Sequence, residues 1–189
     1  MNKVSGNLSD FAYVRNEGSR IAIGYGLKQT GESMYEWYEV YRYNKQVNQL
    51  SADDIKSAIL ADIDSRTDST ILNGYQWTIL HGDTDKPEEE RHVSETVSVW
   101  LSMENQENFK EAHRLASADA SKVIPIKFKI SEDEDKKAVY ETFESFGELD
   151  AFYLGAFSFI KQSIDAGWAE KDSIDWKPYE DCFPQVVNE

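Results

Sequence analysis

From Ile124 to Ile130 the chain reads IPIKFKI, which sets Ile124, Ile126, Phe128 and Ile130 against Lys127 and Lys129. Side chains of an extended strand alternate between two faces, so this period predicts a strand with one apolar and one wetted face. Such a strand belongs to an antiparallel sheet, because the strands of a parallel sheet are covered on both sides and read as continuous apolar runs. The acidic turn Ser131-Glu132-Asp133-Glu134-Asp135 follows, and Ala138 to Phe143 (AVYETF) closes a hairpin.

Two further hairpins are expected. In Ile21 to Leu27 the residues Ile21, Ile23, Tyr25 and Leu27 alternate with Ala22, Gly24 and Gly26, which gives one bulky face and one nearly bare face. The turn Gln29-Thr30-Gly31-Glu32 leads to Met34 to Tyr43 (MYEWYEVYRY), β-branched and aromatic enough for the returning strand. Tyr75 to Leu80 (YQWTIL) and Thr96 to Leu101 (TVSVWL) form the other pair, joined by a polar connection from His81 to Arg91.

A helix is expected after each pair. Ser51 as N-cap, Asp53 and Asp54 in the first turn, and Ile55, Ile59 and Ile63 at i, i+4 and i+8 predict a helix ending near Ser65. Ser102 caps a second helix, to about Ala118, with a thin stripe of Phe109, Ala112 and Ala116. Ser145 and Glu148 form an S-x-x-E capping box ahead of Leu149, Phe152, Tyr153, Ala156, Phe157, Ile160 and Ile164, and Gly167 is placed to end that helix as C′. Hairpins alternating with helices, a ββα order repeated about three times, define an α+β fold. The expected division is an N-terminal hairpin unit at 1–50, a main domain at 51–176 and an extended tail at 177–189, whose aromatic and proline residues include Trp176, Pro178, Tyr179, Phe183 and Pro184.

Composition removes several classes of function. The 189 residues carry 20 Lys and Arg against 35 Asp and Glu, a net charge of −15. A direct nucleic-acid binder needs cations to displace phosphate counterions, so none is expected here. The charge is uneven, net +1 over residues 1–50 and net −10 over 131–189, which suggests a docking end and a solvated end. Cys182, the one cysteine, has no partner within the chain for a disulfide or a thiolate metal cluster. The opening decapeptide MNKVSGNLSD lacks the apolar core of a secretory signal. The longest apolar stretch, Ala151 to Ile160, is half of the roughly 20 residues a bilayer span requires, so membrane insertion is not expected. A reducing cytoplasm is the expected location.

Candidate chemistry is sparse. The phrase HGDTD places His81 beside Asp83 and Asp85, carboxylates that could converge on a hard cation, but the glycine and distal glutamate of a calcium loop are missing, so a solvated hairpin tip is expected. His81 and His92 are eleven residues apart and no zinc pair is visible. His113 reads as a packing or surface residue. Four adjacent acids at Glu132 to Asp135 would stay solvated, whereas acid–base work needs a desolvated carboxyl. Gly24-Tyr25-Gly26 lacks the third glycine and the helix of a phosphate cradle. No catalytic residue, cofactor or metal is expected. The segment that stands out is Met34 to Tyr43: Tyr35, Trp37, Tyr41 and Tyr43 share one face, interrupted by Glu39, and make a candidate interface. A central strand buried on both sides would read the same way.

Several phrases resemble a family of uncharacterised proteins encoded in tail and tail-fibre gene regions of phages and prophages of gut anaerobes: WYEVY (Trp37–Tyr41), ADID (Ala61–Asp64), ILNGYQW (Ile71–Trp77), VWLSMENQEN (Val99–Asn108), PIKF (Pro125–Phe128) and GWAEKDSIDWKPY (Gly167–Tyr179). The resemblance covers about residues 20–180, and VWLS-x-ENQ-x-N is its most specific phrase. It implies a phage-encoded structural or assembly protein of the virion or tail, partnered by other phage structural proteins or by itself as an oligomer, and it carries over no site residues. Two alternatives stand beside that expectation. One is an acidic phage protein that mimics DNA and inhibits a host enzyme, suggested by the net −10 of residues 131–189. The other is a carbohydrate-binding module using Trp37, Trp77 or Trp100.

Overall fold

A computed structural model describes residues 2–181. In chain order the strands and α-helices are β1 (Asn2–Gly6), β2 (Val14–Asn16), β3 (Arg20–Gln29), β4 (Tyr35–Tyr43), α1 (Ala52–Gly74), β5 (Tyr75–Thr78), β6 (Thr96–Val99), α2 (Met103–Ala118), β7 (Ile126–Glu132), β8 (Ala138–Phe143), α3 (Phe146–Asp172) and α4 (Lys177–Asp181). All strand pairings are antiparallel, and the fold is α+β as expected. The hairpin–helix succession holds for β5–β6–α2 and β7–β8–α3, whereas four strands precede α1. Among the described residues no helix is long and apolar enough to cross a membrane.

The chain divides into two compact units, Met1–Thr67 with Asp165–Glu189, and Asp68–Ile164, with the divisions falling inside α1 and α3. This differs from boundaries at residues 50 and 176.

In the first unit the sheet order is β1-β4-β3-β2. Register opposes Ile23 to Val40 and Tyr25 to Tyr38, so these side chains share one face, and they form a core with Ile55, Ile59 and Ile63 of α1. Each isoleucine withdrawn from water there contributes roughly 1.5–3 kcal/mol. The bare face of β3 has a physical cause at Gly24. A Cβ on Gly24 would come closer than 3.0 Å to the carbonyl oxygen of Ala12, and the Gly24 N–H donates to the Tyr13 carbonyl at 3.1 Å. Strands β1 and β2 were not expected, because their short polar sequences form strands only by pairing to β4 and β3 at the sheet edges.

The second unit holds the β5–β6 and β7–β8 hairpins and α2. Its core is aromatic: the ring of Phe152 lies 5.0 Å from those of Phe109 and Phe143 and 5.1 Å from that of Trp77. The α2 stripe of Phe109, Ala112 and Ala116 is buried as expected, and the Ser102 side chain accepts from the Asn105 N–H.

Four expectations need correction. Helix α1 continues past Ser65 to Gly74, since Thr67 and Ile71 extend the i+4 series begun at Ile55 and Ile71 is buried. Helix α3 passes through Gly167 to Asp172, because the missing side chain at Gly167 makes room for Thr67. Strand β7 begins at Ile126 rather than Ile124, Pro125 having no N–H for a ladder. The tail does not run extended from residue 177: Lys177–Asp181 is helical, with Tyr179 buried. Cys182, Phe183 and Pro184 lie outside the described residues.

Candidate interaction surface

Tyr35, Trp37, Glu39, Tyr41 and Tyr43 point from β4 to the sheet face opposite the isoleucine core. Their surroundings differ sharply. Trp37 is 2% exposed, its ring covered by Phe11 at 5.8 Å in an edge-on contact. As a candidate contact residue it is corrected to a core residue of this face. Tyr35 and Tyr41 are half-buried and Tyr43 is 62% exposed.

Glu39 organises the face. Although only 5% exposed, its carboxylate accepts from the Trp37 indole N–H at 3.1 Å, from Arg15 Nη2 at 3.1 Å and from the Tyr41 hydroxyl at 2.7 Å. Charge-assisted bonds of this kind compensate the cost of burying a carboxylate. The bond to Glu39, together with partial burial, holds the Tyr41 hydroxyl above the usual tyrosine range. Arg20 lies 4.1 Å from the centroid of the Tyr41 ring, and Glu17 accepts from Arg15 at 2.7 Å and from Arg20 at 2.6 Å. These bonds, Arg15's first, hold the Glu17 carboxyl below its usual range. The result is a fixed tyrosine–arginine patch, with Tyr43 6.4 Å from Tyr41. Arg15 and Arg20 were not among the expected site residues; the sequence signal for the network is Glu39, a charge in register with Trp37 and Tyr41.

The HGDTD loop has a different role from either one expected. The backbone N–H groups of Leu80, His81 and Gly82 donate to the Glu141 carboxylate at 2.7, 3.0 and 3.2 Å, as does the Trp77 indole at 2.9 Å. Gly82 has φ of +66°, which turns the successive donors toward one point. Consecutive converging N–H groups make an anion-binding nest, and here the chain supplies its own anion, fully buried at 0% exposure. The loop is therefore folded onto a buried carboxylate rather than standing as a freely solvated tip. Lys127 pairs with both Asp83 and Asp85, and its bond holds Asp83 below the usual carboxylate range. The sequence signal for Glu141 is its period-two register with Val139 and Phe143, which marks a carboxylate on an apolar face.

The remaining candidates have structural partners. His81 Nε2 lies 3.2 Å from Glu148, His92 Nδ1 lies 2.9 Å from Glu95, and His113 Nε2 lies 2.7 Å from Asp150 with its ring stacked on Tyr153 at 4.3 Å. Among the described residues no group of three His, Cys, Asp or Glu side chains is arranged to hold a metal ion. Glu132 and Asp135 pair with Lys129 and Lys137. Trp77 is half-buried on Glu141, and Lys129 lies 4.9 Å from the ring centroid of Trp100. Comparison with protein-family models, curated proteins and solved structures finds no match to this chain.

Proposed function

We propose that this chain is a non-enzymatic, phage-encoded structural or assembly protein of the tail or virion, acting through protein–protein contacts with itself as an oligomer or with other phage structural proteins. The observation that carries the contact role is the patch of Tyr41, Tyr43 and Arg20, whose first ring is fixed by a hydroxyl bond to buried Glu39. Tyrosine and arginine are enriched at binding hot spots, and side chains already held in place lose little entropy on docking. The phage context rests on the resemblance of phrases such as VWLSMENQEN and GWAEKDSIDWKPY, and placement in the virion or the host cytoplasm follows from the same reading.

The alternative of DNA mimicry draws less support. Several acids behind the net −10 of residues 131–189 are engaged within the chain: Glu141 by backbone donors, Asp150 by His113 and Glu170 by Arg66.

The test is quantitative mass spectrometry of gradient-purified particles from the encoding phage, paired with sizing of the isolated protein. A fixed copy number in particles, or a defined oligomer dissociated by Tyr43→Ala with unchanged thermal stability, is expected. Absence from particles combined with a monodisperse monomer lacking any partner in infected cells would overturn the proposal.

A further inference from the structure

The first unit also contains a groove of about 630 Å³ beside β3, β4 and the segment from Glu170 to Tyr179. Ligand pockets commonly span ~300–1,000 Å³. Strand β3 is bulged at this point: its register to β4 slips between Tyr25 and Lys28, and Gly26 takes φ of +66°. A bulge re-aims a strand, and the missing side chain at Gly26 keeps the space open. A Cβ there would lie 3.4 Å from the Tyr38 ring and 4.0 Å from Glu170 Oε1.

The aromatic wall is held in place. The Tyr25 hydroxyl donates to Asp62 at 2.5 Å, and the Tyr179 hydroxyl donates to the Gly24 carbonyl at 2.8 Å. Tyr13 sits edge-on to Tyr179 with centroids 5.2 Å apart, and Arg66 lies 3.9 Å from the Tyr38 centroid. A wall fixed in this way costs a ligand little ordering entropy.

Charge chooses between ligand classes. Glu170 is neutralised by its ion pair with Arg66, and at the exposed rim Lys28 offsets Asp175. With its carboxylates balanced in this way the groove offers an anion no net positive charge, in a protein of net charge −15. A cation would find Glu170 already paired, and Arg66 already on the Tyr38 face. A neutral ligand with one apolar face and many hydroxyls matches what remains: aromatic surface on Tyr13, which is 39% exposed, acceptors on Glu170 and Asp175, and a donor on Lys28. We infer that this groove binds a neutral oligosaccharide, with a sugar C–H face against Tyr13 and hydroxyls on Glu170, Asp175 and Lys28. Neither Tyr41 nor Tyr43 lines the groove, and none of Trp37, Trp77 and Trp100 does.

Isothermal titration calorimetry of the full chain tests it, with cellotriose, maltotriose and chitotriose as neutral probes and choline and arginine methyl ester as cationic ones. Saturable heat is expected from at least one trisaccharide. Tyr13→Ala and Lys28→Ala should each weaken that binding by about tenfold or more with an unchanged thermal midpoint, while Tyr43→Ala leaves it intact. Silence of all three trisaccharides through the millimolar range overturns the inference, as does binding of the cationic probes alone. Trisaccharide binding that survives both the Tyr13 and Lys28 variants overturns the placement in this groove.

Discussion

The indole N–H of Trp77 donates to the carboxylate of Glu141 at 2.9 Å, joining two hairpins across 64 positions of sequence. The same carboxylate receives the backbone N–H groups of Leu80, His81 and Gly82, so removing it would leave several inward-facing donors without an acceptor. Hydrogen bonds to a charged group contribute about 1.5–3 kcal/mol each and are not additive, so Glu141→Ala is expected to destabilise by roughly 3–5 kcal/mol. Glu141→Gln keeps one acceptor oxygen and is expected to cost less, about 1–3 kcal/mol. Urea unfolding of both variants measures the difference; a loss for Glu141→Ala within the ±0.5 kcal/mol typical of surface changes would show that the nest is not held by this carboxylate.

Alkaline pH should weaken the protein through its buried tyrosines. Burial pushes the Tyr75 hydroxyl from 10.0 up to about 12, and burial followed by the bond to Asp62 pushes Tyr25 higher still. A group whose folded value is raised contributes fully below its unfolded value and loses that contribution as pH rises through the folded one. For Tyr75 the window runs from 10.0 to about 12. Its share of the loss is roughly 2–3 kcal/mol at 1.36 kcal/mol per unit. Ultraviolet titration of tyrosinate should show late-titrating groups in the folded protein that become ordinary in denaturant. Stability that stays flat across this window would contradict the burial assigned to both rings.

How much of this was legible depended on whether a residue's role was set locally. The Ser102 cap, the Ser145–Glu148 box and the alternation about Lys127 and Lys129 act within a few positions, and each is found where the sequence predicts it. Past Ser65 the i+4 series is carried by Thr67 and Ile71 alone, among polar residues whose partners lie far off in sequence: Arg66 reaches Tyr25 and Glu170. Trp37 and Tyr43 share a strand face and a chemistry, and only the packing of Phe11 separates the buried ring from the exposed one. The phrases behind the phage resemblance also have structural work to do. In VWLSMENQEN the Asn105 side chain donates to the Trp100 carbonyl at 2.8 Å and Gln106 donates to that of Leu101 at 2.7 Å, tying the start of α2 to the short connection that follows β6.

Acid should expose the contribution of Glu148. Burial alone would raise its pKa, but the His81 ring and the backbone N–H groups of Glu144 and Ser145 outweigh burial and hold the carboxyl below its ordinary 4.5. Its contribution is therefore complete above 4.5 and is lost as pH falls through the lower folded value. Glu148→Gln is expected to cost about 0.5–2 kcal/mol at neutral pH, the worth of a helix cap. Its stability should also fall less steeply than that of the parent protein between about pH 5 and 3. Parallel denaturation curves at the two pH values decide it, since equal slopes would mean that Glu148 takes no part in the acid response.

Gly167 gives the sharpest test of packing. It lies inside α3, where glycine is a poor helix former, and an added Cβ would fall closer than 3.0 Å to the Thr67 side chain. Gly167→Ala therefore sets a helix-propensity gain of about 1 kcal/mol against an overpacking cost of about 1–3 kcal/mol. Thr67 is the nearest obstruction, and the clash is with its branched side-chain atoms rather than with backbone. The single variant is expected to lose stability, whereas Gly167→Ala combined with Thr67→Ala should recover it relative to Thr67→Ala alone. A double-mutant cycle followed by thermal unfolding reads the coupling directly. If Gly167→Ala alone stabilises the protein, the close approach is wrong and Gly167 has some other role; a coupling of about 1 kcal/mol or more in which Thr67→Ala relieves the cost of Gly167→Ala identifies it as the position where α3 admits Thr67 of α1.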